Sequence, residues 1–267
     1  MSAAPTASPV APGTLFAGKD RVNRVLYEGS TSVVVEADHV VLDERVALKV
    51  LRPEVARHPE AAARFLRAAS AAVRLKSEHV ARVMDVGTLD SGVPYVVLEY
   101  LQGRDLSGVL QADGMLPIAD AVDYVLQACD ALAEAHAVGM IHRALEPAHL
   151  FLCKWRNGTP LVKVLGFGSS EESGSVDHRT DVHALGITLY ELLAGKPSHG
   201  TDTPTPIRRA RPEVAESLAA VLEKAYTRDR EQRWGSIGEL VLALAPHAPP
   251  RSQTVIERVA KLRGTPL

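Results

Sequence analysis

The 267-residue chain is short of several things, and each shortage removes a class of protein. It has only two cysteines, Cys129 and Cys153, and neither sits in a Cys-x-x-Cys or Cys/His ligand spacing. Both therefore read as reduced, partly buried thiols of a cytoplasmic protein. Net charge is nearly absent, at -2, so nothing argues for a nucleic-acid or acidic-membrane surface. No apolar run reaches the roughly 18 residues a membrane span requires. The start lacks a basic stretch followed by an apolar one, which argues against a secretory signal. No internal repeat is visible. What is present is ordinary for a soluble globular protein: 46% apolar and 23% charged residues. The length suffices for one large domain or two small lobes with a real core.

Along the chain, residues 1–13 are rich in Pro, Ala, Ser and Thr and are expected to be a disordered tail, because they cannot bury enough to offset ordering entropy. From Arg21 to Leu51, β-branched runs (Val33-Val34-Val35 and Val46 to Leu51) alternate with turn residues, which predicts an antiparallel meander. Residues 58–75 read as a helix, and strands are expected near Ala81–Val86 and Pro94–Glu99. The pattern then turns helical. Leu116 to Ala137, Thr180 to Leu193, Glu213 to Tyr226 and Ser236 to Leu244 carry apolar residues at helical spacing. A short β pair near Leu150–Leu152 and Val162–Leu165 is joined through Asn157-Gly158. Ala245–Ser252 reads as a Pro-rich linker, and Val255–Leu262 as a short amphipathic helix. The fold class is α+β: a β-rich lobe with one helix, then a mainly helical lobe.

Four segments, in order, resemble the eukaryotic-like (Hanks-type) Ser/Thr protein kinases of bacteria. Val46-Ala47-Leu48-Lys49 resembles the strand bearing the nucleotide lysine. Ile141 to His149 resembles the catalytic loop, Gly166-Phe167-Gly168 the metal-binding Asp-Phe-Gly, and Asp177 to Gly186 the start of the central helix of the helical lobe. The resemblance implies a bilobal kinase-like fold: a disordered tail at 1–13, an N-lobe at 14–101, a C-lobe at 102–244, and a linker with a short helix at 245–267.

Set against that family, the groups that carry the chemistry are missing. The glycine-rich loop reads Tyr27, Gly29 and Ser32 at its three glycine positions, a pattern that also fits a plain hairpin turn. Lys49 survives, but the helix glutamate that would pair with it is Ala68. The catalytic aspartate is Ala144, the nearby lysine is Glu146, the metal-binding asparagine is His149 and the metal-bridging aspartate is Gly166. Loss of a general base alone typically costs about 10²–10⁴-fold, and loss of the metal leaves phosphate charge unneutralised. The resemblance therefore implies no catalytic residue and no metal site. The retained positions are structural: His142 and Phe167 in an apolar column, Asp181 capping the backbone near His142, and Arg233 as a partner for Glu171 or Glu172.

Twelve residues, Ser169 to Thr180, separate Gly168 from Asp181, shorter than an ordinary activation segment. Four of them are serines (169, 170, 173 and 175), either a solvated loop or a phosphate acceptor for Arg143. Pro197 to Pro212 is short where an active relative would place a docking helix. By resemblance, Val34 and Ala47 form the roof of an adenine pocket and Phe151 its floor. Leu98 is the gatekeeper, the Glu99 and Leu101 backbones offer hinge hydrogen bonds, and Gly29 and Lys49 lie on the phosphate side. The same residues would serve equally as core. No cofactor is required, and ATP or another nucleotide would enter without magnesium if at all. The resemblance implies a pseudokinase, a non-catalytic signalling or scaffolding module with a protein partner such as an active kinase; the alternatives are a Ser/Thr protein kinase or other ATP-dependent transferase using Lys49 with Glu146 or His149, and a substrate of a true kinase.

Overall fold

The structure is a computed structural model that describes residues 10–155, 157–167, 177–197 and 204–262. Its contacts divide the chain into a β-rich unit, residues up to 74 with 81–101, and a helical unit, residues 75–80 with 102 onward. This is the α+β class that the sequence implies.

The β-rich unit is built on strands β1 (Leu15–Phe16), β2 (Asp20–Glu28), β3 (Ser32–His39) and β4 (Glu44–Leu51), helices α1 (Pro53–Ala56) and α2 (Pro59–Ala72), and strands β5 (Val83–Thr88) and β6 (Pro94–Glu99). All strand pairs are antiparallel, in the order β1-β2-β3-β4-β6-β5. Both helices begin at a proline, which suits a first turn whose N–H has no intrahelical partner. Residues directly opposite one another share a face, and each strand alternates. One face therefore carries Val33, Val35, Ala37, Val46, Leu48, Val50, Tyr95 and Val97, which with Phe16 and Val22 form the core. Only residues 10–13 of the expected tail lie among the described residues. There the Gly13 N–H donates to Val22 O at 2.8 Å and Val10 packs on the core, so this stretch is ordered.

The helical unit runs β7 (Arg104–Asp105), α3 (Leu106–Asp113), α4 (Ile118–Ala137), β8 (Leu150–Lys154), β9 (Pro160–Val164), α5 (Arg179–Ala194), α6 (Ile207–Ala210), α7 (Glu216–Tyr226), α8 (Ile237–Leu244) and α9 (Gln253–Leu262). Helix α4 is buried on nearly every side. Val122, Val125, Leu126, Cys129 and Leu132 are fully buried, and so, nearly, are Asp123, Gln127 and Asp130. A polar group in such a place must be hydrogen-bonded. Asp123 accepts from Arg251 Nε at 2.8 Å, Ser252 Oγ at 2.5 Å and Gln127 Nε2 at 3.1 Å. Asp130 accepts from Ser77 Oγ at 2.5 Å and Arg258 Nη1 at 3.1 Å. The Pro-rich stretch 245–252 thus forms two 3-10 turns against α4, and α9 seats Val255 and Val259 in the same unit.

Helix α5 packs on α7 where Gly186 meets Ala225; a Cβ at 186 would come within 2.7 Å of the Ala225 Cβ. Helix α5 ends at Gly195, in the left-handed conformation at φ 70°. Trp234 is held by Val221 O, which its indole N–H donates to at 3.1 Å, and by the Lys224 ammonium 3.9 Å from its ring centre.

Candidate functional site

In the β-rich unit, register decides which predicted site residues meet. Val34 lies opposite Lys49, and Ala47 opposite Leu98. With the period of two along β4, this puts Val34, Ala47, Lys49 and Leu98 on one face, the reverse of the core face. Val34, Lys49 and Leu98 are half-buried. The Lys49 ammonium stands 5.9 Å from the Phe65 ring on α2, and burial pushes its pKa down. Ala68, one turn further along α2, offers it no carboxylate. The Glu99 backbone N–H donates to Arg82 O at 3.0 Å, and its carboxylate accepts the Arg82 N–H at 2.8 Å, which ties the end of β6 to the residues before β5. Leu101 follows β6, half-buried.

The loop between β2 and β3 is a hairpin turn. The Gly29 N–H donates to Ser32 O at 2.9 Å, and the Gly29 carbonyl accepts from Arg52 Nε at 2.7 Å. The Tyr27 ring leans over Gly29, since a Cβ there would lie 2.9 Å from its ring edge. A tight turn under an aromatic ring is a poor cradle for phosphates, which need several open backbone N–H groups.

In the helical unit the organising group is Asp181, fully buried on the first turn of α5. Its carboxylate accepts the backbone N–H of His142 and of Arg143, each at 2.8 Å, and the ring N–H of His136 at 2.7 Å. Burial would raise its pKa, but hydrogen bonds from His136, His142 and Arg143 together hold it below the ordinary value. The expected cap on the catalytic-loop backbone is therefore present. It supports a strained geometry: Arg143 has φ 70°, uncommon for a non-glycine residue. His142 donates from its ring to Leu165 O at 2.7 Å and packs edge-on against Phe167, ring centres 5.0 Å apart.

Around that scaffold, Ala144 is exposed, with its N–H turned back to His142 O at 2.9 Å. Glu146 is exposed and lies 3.7 Å from His149 Nδ1. Gly166 has φ 83° and no side chain to offer. Phe151, half-buried, sits on β8 opposite Lys163 of β9. Magnesium asks for oxygen ligands in near-octahedral array. An imidazole at 149 and a glycine at 166 do not supply them, and among the described residues no group of three His, Cys, Asp or Glu is placed to hold a metal. The residues present do not fit that ion.

Arg233 donates to the carbonyls of Thr227 at 2.9 Å, Arg228 at 3.2 Å and Arg179 at 3.3 Å. The expected partners Glu171 and Glu172 lie outside the described residues, as do Gly168, the four serines and residues 198–203. Sequence reasoning missed a charged cluster on the Lys49 face. Glu36, opposite Ala47, is buried and paired with Arg24 at 2.8 Å and Arg45 at 3.3 Å, while the Tyr100 hydroxyl donates to it at 3.1 Å. The only sequence signal was an acid inside the run Val33 to Ala37. His136, the third donor to Asp181, was missed as well.

Comparison with known proteins agrees with this fold. Residues 21–178 match the protein kinase domain family. The chain is 30% identical to the serine/threonine-protein kinase PknB of Mycobacterium leprae, over 87% of this chain and 44% of that protein. It is 30% identical to the serine/threonine-protein kinase pkn3 of Myxococcus xanthus, over 83% of this chain and 48% of that one. The chain thus spans less than half the length of these relatives. Among solved structures, the Mycobacterium tuberculosis PknI kinase domain superposes with a TM-score of 0.76 at 29% identity, covering 89% of this chain and 99% of that one. The chain belongs to the protein kinase domain family, among the bacterial Ser/Thr kinases.

Proposed function

We propose that this chain is a pseudokinase: a kinase fold that serves as a non-catalytic regulatory or scaffolding module, with a protein partner such as an active kinase or another signalling component. One observation carries the reading. Asp181 accepts the backbone N–H groups of His142 and Arg143, and His142 packs on Phe167, which holds this loop in its strained form, while the positions that would act on phosphate are Ala144, Glu146, His149 and Gly166. Phosphoryl transfer depends on positioning and charge neutralisation, and here the base and both metal ligands are replaced together. A nucleotide would bind weakly and without magnesium.

A second reading draws on the relatives, which are named as serine/threonine-protein kinases. In it the chain transfers phosphate with unconventional groups, Lys49 acting with Glu146 or His149. Transfer of labelled phosphate from ATP separates the two. The wild type and Lys49→Ala are expected to be equally inert. The combined Ala144→Asp, Glu146→Lys, His149→Asn and Gly166→Asp variant is the comparison that asks what the scaffold can still support. Label transfer by the wild type that disappears in Lys49→Ala would overturn the proposal in favour of the second reading.

A further inference from the structure

The last turn of α2 runs Arg67-Ala68-Ala69-Ser70-Ala71-Ala72 and leads through Val73 to Arg74. Ala69 and Ala72 turn inward and are buried, while Arg67, Ser70 and Arg74 are exposed. The helical path continues past the helix end: Val73 has φ -57° and ψ -28°, and the Arg74 N–H donates to Ala71 O at 3.1 Å. Residues three and four apart on such a path are neighbours. Ser70 follows Arg67 by three and precedes Arg74 by four, so its hydroxyl stands between two arginine positions.

One other exposed hydroxyl among the described residues has this spacing. Thr254 of α9 follows Arg251 by three and precedes Arg258 by four. There both arginines are committed to acids, Arg251 to Asp120 and Asp123, and Arg258 to Asp130 and Glu78. Around Ser70 the case is different. Among the described residues neither Arg67 nor Arg74 takes part in an ion pair, and the chain carries no acid from Ala61 to Ser77. Two arginines without an anion flank a hydroxyl that can acquire one.

We propose that Ser70 is a phosphorylation site for an active Ser/Thr kinase that selects arginine before its acceptor, and that Arg67 and Arg74 hold the phosphate once it is formed. The γ-phosphoryl group of ATP passes to Ser70 Oγ; its bond to ADP breaks, and the hydroxyl proton goes to the base of the acting kinase. Arg67 is the group an acidic substrate cleft would recognise, and no neighbouring acid opposes that approach. The turn is also easily opened. Its side chains beside Ser70 are alanines, and it ends without a left-handed glycine, so unwinding it exposes little apolar surface. The helix dipole alone disfavours a phosphate near a C-terminus, but charge-assisted hydrogen bonds from two guanidinium groups are the stronger effect. The site stands whether or not this chain transfers phosphate itself, because the acting enzyme is another kinase.

The test incubates the full chain with magnesium-ATP and a purified Ser/Thr kinase that requires arginine three residues before its acceptor, and locates the phosphate by mass spectrometry. Wild type and Lys49→Ala should both be labelled at Ser70, and Thr254 should stay unlabelled. Ser70→Ala, which puts a better helix former at an exposed position, should lose that label, and Arg67→Ala should slow it at least tenfold. In phosphorus NMR of the product, the phosphoserine should titrate below the usual value of about 6 and return toward it in Arg74→Ala. No label at Ser70, label confined to the wild type, an unchanged rate in Arg67→Ala, labelling of Thr254 as fast as Ser70, or a phosphoserine that titrates at its usual value would overturn the proposal.

Discussion

At the scale of single residues, the decisive contrast lies between Asp181 and the positions it serves. Asp181 gathers three donors in a fully buried place. Its replacement by asparagine keeps the size but loses the charge-assisted bonds. The expected cost is about 3 kcal/mol, read from urea unfolding at neutral pH. Because the folded carboxyl is held below its ordinary 3.8, its contribution is complete above that value and lost as pH falls through the lower folded value. The stability gap between wild type and Asp181→Asn should therefore close on acidification below about pH 4; a gap that widened there would contradict the assignment. Cys129 gives a second expectation. It is wholly buried, and burial pushes its thiol far up, so labelling by a thiol reagent should follow unfolding rather than exposure in the native state. Much at this scale was legible: the type and order of Lys49, His142 and Asp181 announced the family. The Glu36 cluster and the three carbonyls on Arg233 were not, because such pairs are fixed by register and helix packing between residues far apart in sequence.

At the scale of elements, the sequence was a good guide where periodicity was long. Helices α4, α5, α7 and α8 lie within a few residues of their expected bounds, and β6 coincides with its own. It was a poor guide to α3 and β7. Helix α3 has eight residues and a glycine inside, and its start depends on Asp105 accepting the Gly108 N–H at 2.8 Å. Strand β7 follows Gly103, where any Cβ would run into Leu152 O of β8. Neither leaves a period long enough to read. The turn at 250–252 and α9 bring Arg251 and Arg258 to the buried acids of α4. Arg258→Ala should cost about 2 kcal/mol, below the figure for a wholly buried pair because the guanidinium is partly exposed. A midpoint unchanged in urea would mean that Asp130 does not depend on it. Gly186→Ala should force α5 and α7 apart at Ala225 and cost about 1–3 kcal/mol, visible as a lower melting temperature.

At the scale of the whole molecule, the chain has a kinase architecture and belongs to the protein kinase domain family. The proposed reading makes nucleotide binding insensitive to magnesium. In calorimetric titration with ATP, any rise in unfolding temperature should be the same with and without the metal, and a large magnesium-dependent rise would argue for retained metal coordination. Among the described residues no helix is long and apolar enough to cross a membrane.

Trp234, fixed by Val221 O and stacked under Lys224, has a practical consequence. The chain's two tryptophans, Trp155 and Trp234, both belong to the helical unit. Their emission is therefore a spectroscopic channel for that unit alone: Trp155 supplies a solvent-exposed, red-shifted population and Trp234 a sheltered one. The β-rich unit holds no tryptophan, so heat-capacity or circular-dichroism measurements are the ones suited to following it.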